Sequence, residues 1–302
     1  MAFPPRFCLR GPDRWNVSMP HPTSWTLPIR QRSLIGILTW REIASRYRGA
    51  LLGVSWAIVT PLLMLAVFTL VFGVVLQSRW PQAEDQGMGM FALQLLAGLL
   101  LHGILAESFG RAPALVVQQT NYVTKVVFPL EALAWVAALS AAFHGVLGLA
   151  LLWLINGVWG TGFSLTQLAL PLVVAPYLVL LVGLTLLFAA LGVYLRDLQQ
   201  VVGSLVMVCM FLGPVLFPRS NMPHGLRDWL LLNPLTVPVE QFRQVMFHET
   251  WPDWTPLAGY TLAALLVYAV GAAVFGLSVF LSGLARYCLV AKTSWEPSFP
   301  FL

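Results

Sequence analysis

Charge is what this sequence has least of. Asp, Glu, Lys and Arg make up 10% of its 302 residues, while 58% are hydrophobic. A soluble domain carries about 25% charged residues, so a soluble globular protein is excluded. Cysteine is scarce too, with only Cys8, Cys209 and Cys288. None falls in an expected external loop, so no disulfide framework is expected. The histidines are His21, His102, His144, His224 and His248, and no two stand at metal-ligand spacing such as HExxH. No metal site is expected, and no catalytic constellation stands out. A GxxxxGKS/T phosphate loop is also missing: Lys292-Thr293 follows Ala291, with no glycine at the loop's first position. The chain is therefore expected to bind no ATP or other cofactor. Basic and aromatic residues are not interleaved in the manner of a nucleic-acid surface. Met1 to Trp40 lacks the apolar core that a cleavable signal needs.

What is present is a series of long apolar runs. A membrane span needs about 20 apolar residues, and six segments qualify: Leu52–Leu76, Met90–Phe109, Ala132–Ile155, Leu165–Leu195, Leu198–Phe217 and Leu257–Leu284. Lipid-exposed backbone must satisfy its own hydrogen bonds, so runs of this length are helices. The fold class is an all-α integral membrane protein of one domain, 51–286. The fourth run is overlong and contains Pro171 and Pro176, which predict a tilt or kink. Lys and Arg counts orient the bundle. With the N-terminus inside, 13 of the 17 cations are inside and Arg79, Arg219, Arg227 and Arg243 are outside. Both termini are then cytoplasmic, which requires an even number of spans.

Residues 1–30 contain Pro4, Pro5, Pro12, Pro20, Pro22 and Pro28 and read as an extended or disordered arm. From 31 to 50 a short amphipathic helix precedes the first span and feeds directly into it. Ile35, Leu38 and Ile43 share one side, while Arg41, Glu42, Arg46 and Arg48 lie mostly on the other. Such a helix lies in the interface plane of membrane lipids. Its cations either orient the first span or contact phosphate or a cytoplasmic partner. Residues 111–129 are the longest internal loop between spans and are helix-compatible up to Pro129. Arg196-Asp197 marks a tight internal turn, and 287–302 form a tail. His102 and His144, inside predicted spans, are expected to hydrogen-bond across helices. Glu107 and Glu131, near the inner ends of theirs, read as topology or packing. Arg219 to Pro256 follows the fifth span and cannot cross the membrane: Trp229–Leu232 and Leu235–Phe247 are apolar, and Asn233-Pro234 separates them. The sequence allows a re-entrant pair of half-helices or helices lying flat on the surface.

The stretch REIASRYRGALLGVSWAIVTPLLMLAVFTLVFG, from Arg41, resembles the N-terminal signature of polysaccharide-exporting ABC-transporter permeases, most of all the O-antigen export permeases. Capsule and teichoic-acid export permeases are relatives. NYVTKVVFPLE at Asn121–Glu131, YLRDLQQVV at Tyr194–Val202 and NPLTVPVEQFR at Asn233–Arg243 agree with it, in the family's order. The resemblance spans roughly Leu34 to Leu284, leaving out the first 30 residues.

The resemblance implies a homodimer in a bacterial inner membrane, bound to two copies of an ABC ATPase that carry the ATP and Mg. It implies a lipid-linked glycan as substrate. It implies coupling to the ATPase through Arg41, Glu42, Arg46, Tyr47 and Arg48 and through Gln118, Asn121 and Lys125. Arg41, Arg46 and Arg48 become candidates for the lipid diphosphate, because guanidinium offers bidentate donors. Trp56, Phe68 and Phe72 on the first span and Met207, Met210 and Phe211 on the fifth become a substrate path, although aromatic residues in spans also serve packing or the interfacial belt. For 218–256 it favours the re-entrant pair, with Asn233, Pro234, Glu240 and Arg243 forming an external gate. A permease for a drug or small lipid is the alternative transporter. The poverty of polar residues argues against a membrane transferase. The lack of an internal repeat argues against a secondary transporter.

Overall fold

The computed structural model describes residues 31–75, 87–119, 129–217, 219, 225 and 229–293. Asn121, Lys125 and the arm 1–30 lie outside these residues. Among the described residues there are eight α-helices and no strand: α1 Arg32–Tyr47, α2 Trp56–Phe68, α3 Gly87–Ser108, α4 Glu131–Trp159, α5 Leu170–Gly192, α6 Leu198–Phe211, α7 Thr236–Phe247 and α8 Trp254–Thr293. Five segments are long and apolar enough to cross a membrane: Gly53–Val71, Gly89–Ala114, Glu131–Trp159, Leu165–Gly192 and Trp254–Val279. They match five of the six expected spans. Pro171 falls in the first turn of α5, where its missing N–H costs nothing, while Pro176 is internal.

The fifth expected span, Leu198–Phe217, is shorter than its apolar run. Its helix, α6, stops at Phe211 after 14 residues. That length is about 21 Å at 1.5 Å per residue, against about 30 Å of hydrocarbon. The chain then turns at Gly213-Pro214, where proline cannot continue the helical hydrogen bonding.

The expected direct run from α1 into the first span is also modified. Tyr47 ends α1, and a turn follows in which Gly49 and Gly53 take φ of +81° and +51°. Only glycine adopts that region without strain, so the two glycines set the angle between the interfacial helix and the span. The apolar side of α1 is seated as its periodicity predicts. Ile35 is buried against Ala132 and Val136 at the start of α4, with Leu38 beside them.

The core centres on α3. Leu95, Leu101 and Leu105 are fully buried there and meet Tyr177 and Leu181 of α5 and Phe242 and Val245 of α7. The Tyr177 hydroxyl donates to the Leu101 carbonyl at 2.7 Å. Helices in lipid are held by close packing rather than by escape from water, and glycine permits it here. A Cβ on Gly271 of α8 would stand 2.2 Å from the Gly183 carbonyl oxygen of α5, and one on Gly183 would stand 2.6 Å from the Tyr268 backbone. α5 and α8 accordingly form the most extensive helix pair.

Candidate functional site

One end of the bundle carries a polar cluster built from three helices. Arg46 reaches from α1 to pair with Glu107 near the end of α3. His144 of α4 lies on the same carboxylate, its Nδ1 2.9 Å from Glu107 Oε1 and 3.1 Å from Oε2. Arg46 Nη1 is 3.1 Å from that Nδ1. A second pair ties the same helices, with Arg111 Nη2 donating to Glu42 Oε1 at 2.6 Å. Arg111 Nε also donates to the Glu107 carbonyl at 3.1 Å. The Tyr47 ring meets His144 edge-on, with centroids 5.6 Å apart. Burial raises the Tyr47 hydroxyl pKa, and the Arg46 cation opposes that.

The hydrogen bonds assign the histidine's proton. Nε2 of His144 is buried without a hydrogen-bond partner among the described residues. An unpaired buried N–H is costly, so the proton belongs on Nδ1 and is donated to Glu107. The carboxylate thus takes donors from both Arg46 and His144. Glu107 and His144 side chains are 15% and 13% exposed, whereas Arg46 is 54% exposed. The carboxylate sits inside the bundle, and the guanidinium is the exposed partner.

Behind this cluster lies a cavity of about 470 Å³ between α2, α3 and α4, with Met210 of α6 reaching it. Trp56, Met64, Phe68, Leu96 and Leu99 form apolar wall. Arg46, Tyr47, Glu107 and His144 line it as well, so its polar groups are concentrated at the α1 end. His102 also lines it, but its Nε2 is engaged with the Val206 carbonyl of α6 at 3.1 Å.

Of the residues expected on a substrate path, Trp56, Phe68 and Met210 come together on this cavity. Met207 and Phe211 are exposed on α6 instead. The side chain of Phe72 lies outside the described residues. Of the residues expected to couple, Glu42 and Arg46 are paired into the cluster, Arg41 and Arg48 are exposed on or just beyond α1, and Gln118 is exposed on the turn Val117–Gln119. The expected cross-helix role of His144 and His102 is what the structure shows. Glu107, read as topology or packing, is instead the shared acceptor of the cluster. Its signal was a lone carboxylate in an apolar run, which must find a partner.

At the opposite end, Asn233, Pro234, Glu240 and Arg243 sit in one assembly. α7 is buried over nine of its 12 residues, so it is seated in the bundle beside α3 and α5 rather than flat on a surface. Trp229–Leu232 is only a single tight turn. Arg243 is buried, and its guanidinium donates to three carbonyls: Gln94 at 2.9 Å, Val215 at 2.8 Å, and Pro214. Asn233 Nδ2 donates to the Cys209 carbonyl at 2.9 Å and the Leu212 carbonyl at 3.1 Å. These side chains satisfy the backbone that α6 exposes by ending early, as broken backbone at membrane depth requires. The Pro234 carbonyl accepts from Tyr260 at 2.9 Å, and Glu240 lies 4.0 Å from Arg219.

The family model described as ABC-2 type transporter matches residues 33–247. The chain is 28% identical over 246 residues to the O-antigen export system permease protein RfbA of Myxococcus xanthus, covering 81% of this chain and 92% of that one. An RfbA protein of Klebsiella pneumoniae is 21% identical over 82% of this chain and 90% of its own. The polysialic acid transport protein KpsM of Escherichia coli is 26% identical, over 81% and 93%.

Proposed function

We propose that this chain, which belongs to the ABC-2 type transporter family, is the transmembrane permease subunit of an ATP-driven exporter of lipid-linked polysaccharide of the O-antigen type. The observation that carries this reading is the likeness to RfbA of Myxococcus xanthus along 92% of that protein's length. Likeness over nearly a whole permease favours the same role in the membrane.

In this reading two copies form the path and two ATPase chains bind ATP and Mg. The charged end of the bundle faces the cytoplasm, in line with the positive-inside bias. Coupling runs through α1 and the 111–129 loop, with Gln118, Asn121 and Lys125 contacting the ATPase. Arg41, Arg46 and Arg48 take the lipid diphosphate, since planar guanidinium matches phosphate oxygens two at a time. The Arg243 assembly supports the exit on the far side. Residues of this chain bind and guide; the hydrolysis belongs to the partner.

Co-purification from the native host, combined with a surface-glycan assay, tests the reading. An ATPase should co-elute, and Asn121→Trp should stop export while leaving the chain inserted. Absence of any ATPase from the purified complex would overturn the proposal. Loss of capsule rather than O-antigen on deletion would move the substrate to capsule polysaccharide.

A further inference from the structure

The cavity between α2, α3 and α4 has the polarity of an amphiphile. Its wall is apolar through Met64, Phe68, Leu96 and Leu99, and its charged groups gather at one end. That end is not anionic. Glu107 is already matched by Arg46 and His144, and Glu42 by Arg111, while Arg41 and Arg48 add exposed cations on α1 and just after it. Arg46 is the guanidinium that lines the cavity itself, so a phosphate arriving there meets Arg46 first.

Resting on the lipid-export reading above, we propose that this cavity, inside a single protomer, holds the first part of a single-chain phospholipid-type substrate, with Arg46 handed over from Glu107 to the substrate phosphate. The geometry supplies the handover. Arg46 is half exposed and reaches the cavity from α1, whereas Glu107 and His144 are fixed between α3 and α4. When the guanidinium leaves, the carboxylate keeps the Nδ1–H of His144 at 2.9 Å and so is not left without a hydrogen-bond donor. His144 is thus a positioning residue: it keeps Glu107 satisfied so that Arg46 can move. Occupancy by phosphate would release one of the two ties between α1 and α3, leaving Arg111–Glu42 as the other.

The test uses the full chain in phosphatidylcholine nanodiscs. The probes are dodecyl phosphate bearing a terminal diazirine and the matching dodecanol, with crosslinks mapped by mass spectrometry. The phosphate probe should label α2 and α3 about tenfold more than the alcohol, the worth of one charge-assisted contact. Glu107→Gln removes Arg46's competitor and should raise phosphate labelling, whereas a merely structural carboxylate would lower it on loss. Arg46→Ala should bring the two probes to equal labelling. A Cβ on Gly103 meets nothing within 4 Å, so Gly103→Leu should fill the cavity without disturbing the fold and erase labelling there. Equal labelling by alcohol and phosphate in the unmodified chain, labelling that survives Gly103→Leu, weaker labelling in Glu107→Gln, or full displacement by inorganic diphosphate at matched concentration would each overturn the site. If the site fails while the ATPase still co-purifies and glycan still reaches the surface, only the cavity proposal falls. A missing ATPase would sink the export reading whatever the probes show.

Discussion

α2 and α3 are neighbours of nearly equal hydropathy and opposite fate. The span around α2 has a mean hydropathy of 2.2 and no buried residue; the span containing α3 has 1.8 and is 67% buried. In water the more apolar helix would be the one inside. In lipid, apolarity earns no place in the core, because hydrocarbon surrounds either position equally well. What separates the two is the chance to interlock. α3 offers Gly98, where the Val215 backbone and the Arg243 guanidinium approach closely, and its Ile104 and Leu100 side chains fill the space left by Gly145 and Gly148 of α4. α2 meets α3 around the cavity and leaves Leu63 and Val67 exposed.

The sharpest way to break this contrast is to spoil the interlock. A Cβ on Gly98 would lie 2.9 Å from the Val215 carbonyl oxygen and 2.8 Å from Arg243 Nη2. Gly98→Leu is therefore expected to cost upward of about 4 kcal/mol and to abolish the monodisperse peak in detergent chromatography. A normal elution profile would show that the two segments part easily. Truncation comes next. Leu101→Ala on α3 empties a fully buried position, with a loss of at most about 2–5 kcal/mol, the range for soluble cores where a transfer contribution is added. Leu63→Ala on α2 should stay within about 0.5 kcal/mol. Thermal denaturation of both in the same detergent measures the gap, and equal melting shifts would erase the distinction.

A further variant examines the ties at the charged end. Replacing Arg41, Arg46 and Arg48 together by lysine keeps the positive-inside charge but removes the planar fork that Arg46 presents to Glu107. Insertion should be normal. Export should fall about tenfold to a hundredfold, corresponding to about 1.5–3 kcal/mol for a charge-assisted contact. Normal export from this variant would reduce the three arginines to orientation signals. The smallest effect concerns the bare face of α2. If a second copy covers it, Leu63→Cys should form a disulfide-linked pair on mild oxidation without a change in melting temperature; failure to link at any pair of exposed α2 positions would leave that face to lipid.

The sequence made the spans legible because each is a run that only a membrane explains. It also placed Ile35, Leu38 and Ile43 on the seated side of α1, since a period of 3.6 needs no knowledge of the partner. It could not show the cluster at the charged end, because Arg46 is 61 residues from Glu107 and 98 from His144. Each of those two interior residues was visible as a polar exception, and only folding paired them. The early end of α6 escaped for another reason. Hydropathy rises and falls with side chains, whereas the break at Gly213-Pro214 is a backbone event inside a run that stays apolar to Phe217. Arg243 was visible as a cation in an apolar stretch, but its partners are carbonyls, which every residue carries and no sequence pattern marks.

Those carbonyls also impose an order of biosynthesis. Chains are threaded into the membrane from the N-terminus onward, and α6 arrives as a 14-residue helix with its last carbonyls open. Asn233 follows the Cys209 carbonyl it serves by 24 residues, and Arg243 follows Pro214 by 29. The Gln94 carbonyl, inside α3, was made 149 residues before the Arg243 that adds a second donor to it. A nascent chain stalled before α7 therefore leaves the polar backbone at the end of α6 without the side chains that satisfy it. The last step of assembly is thus the docking of two late polar side chains, Asn233 and Arg243, against segments made earlier.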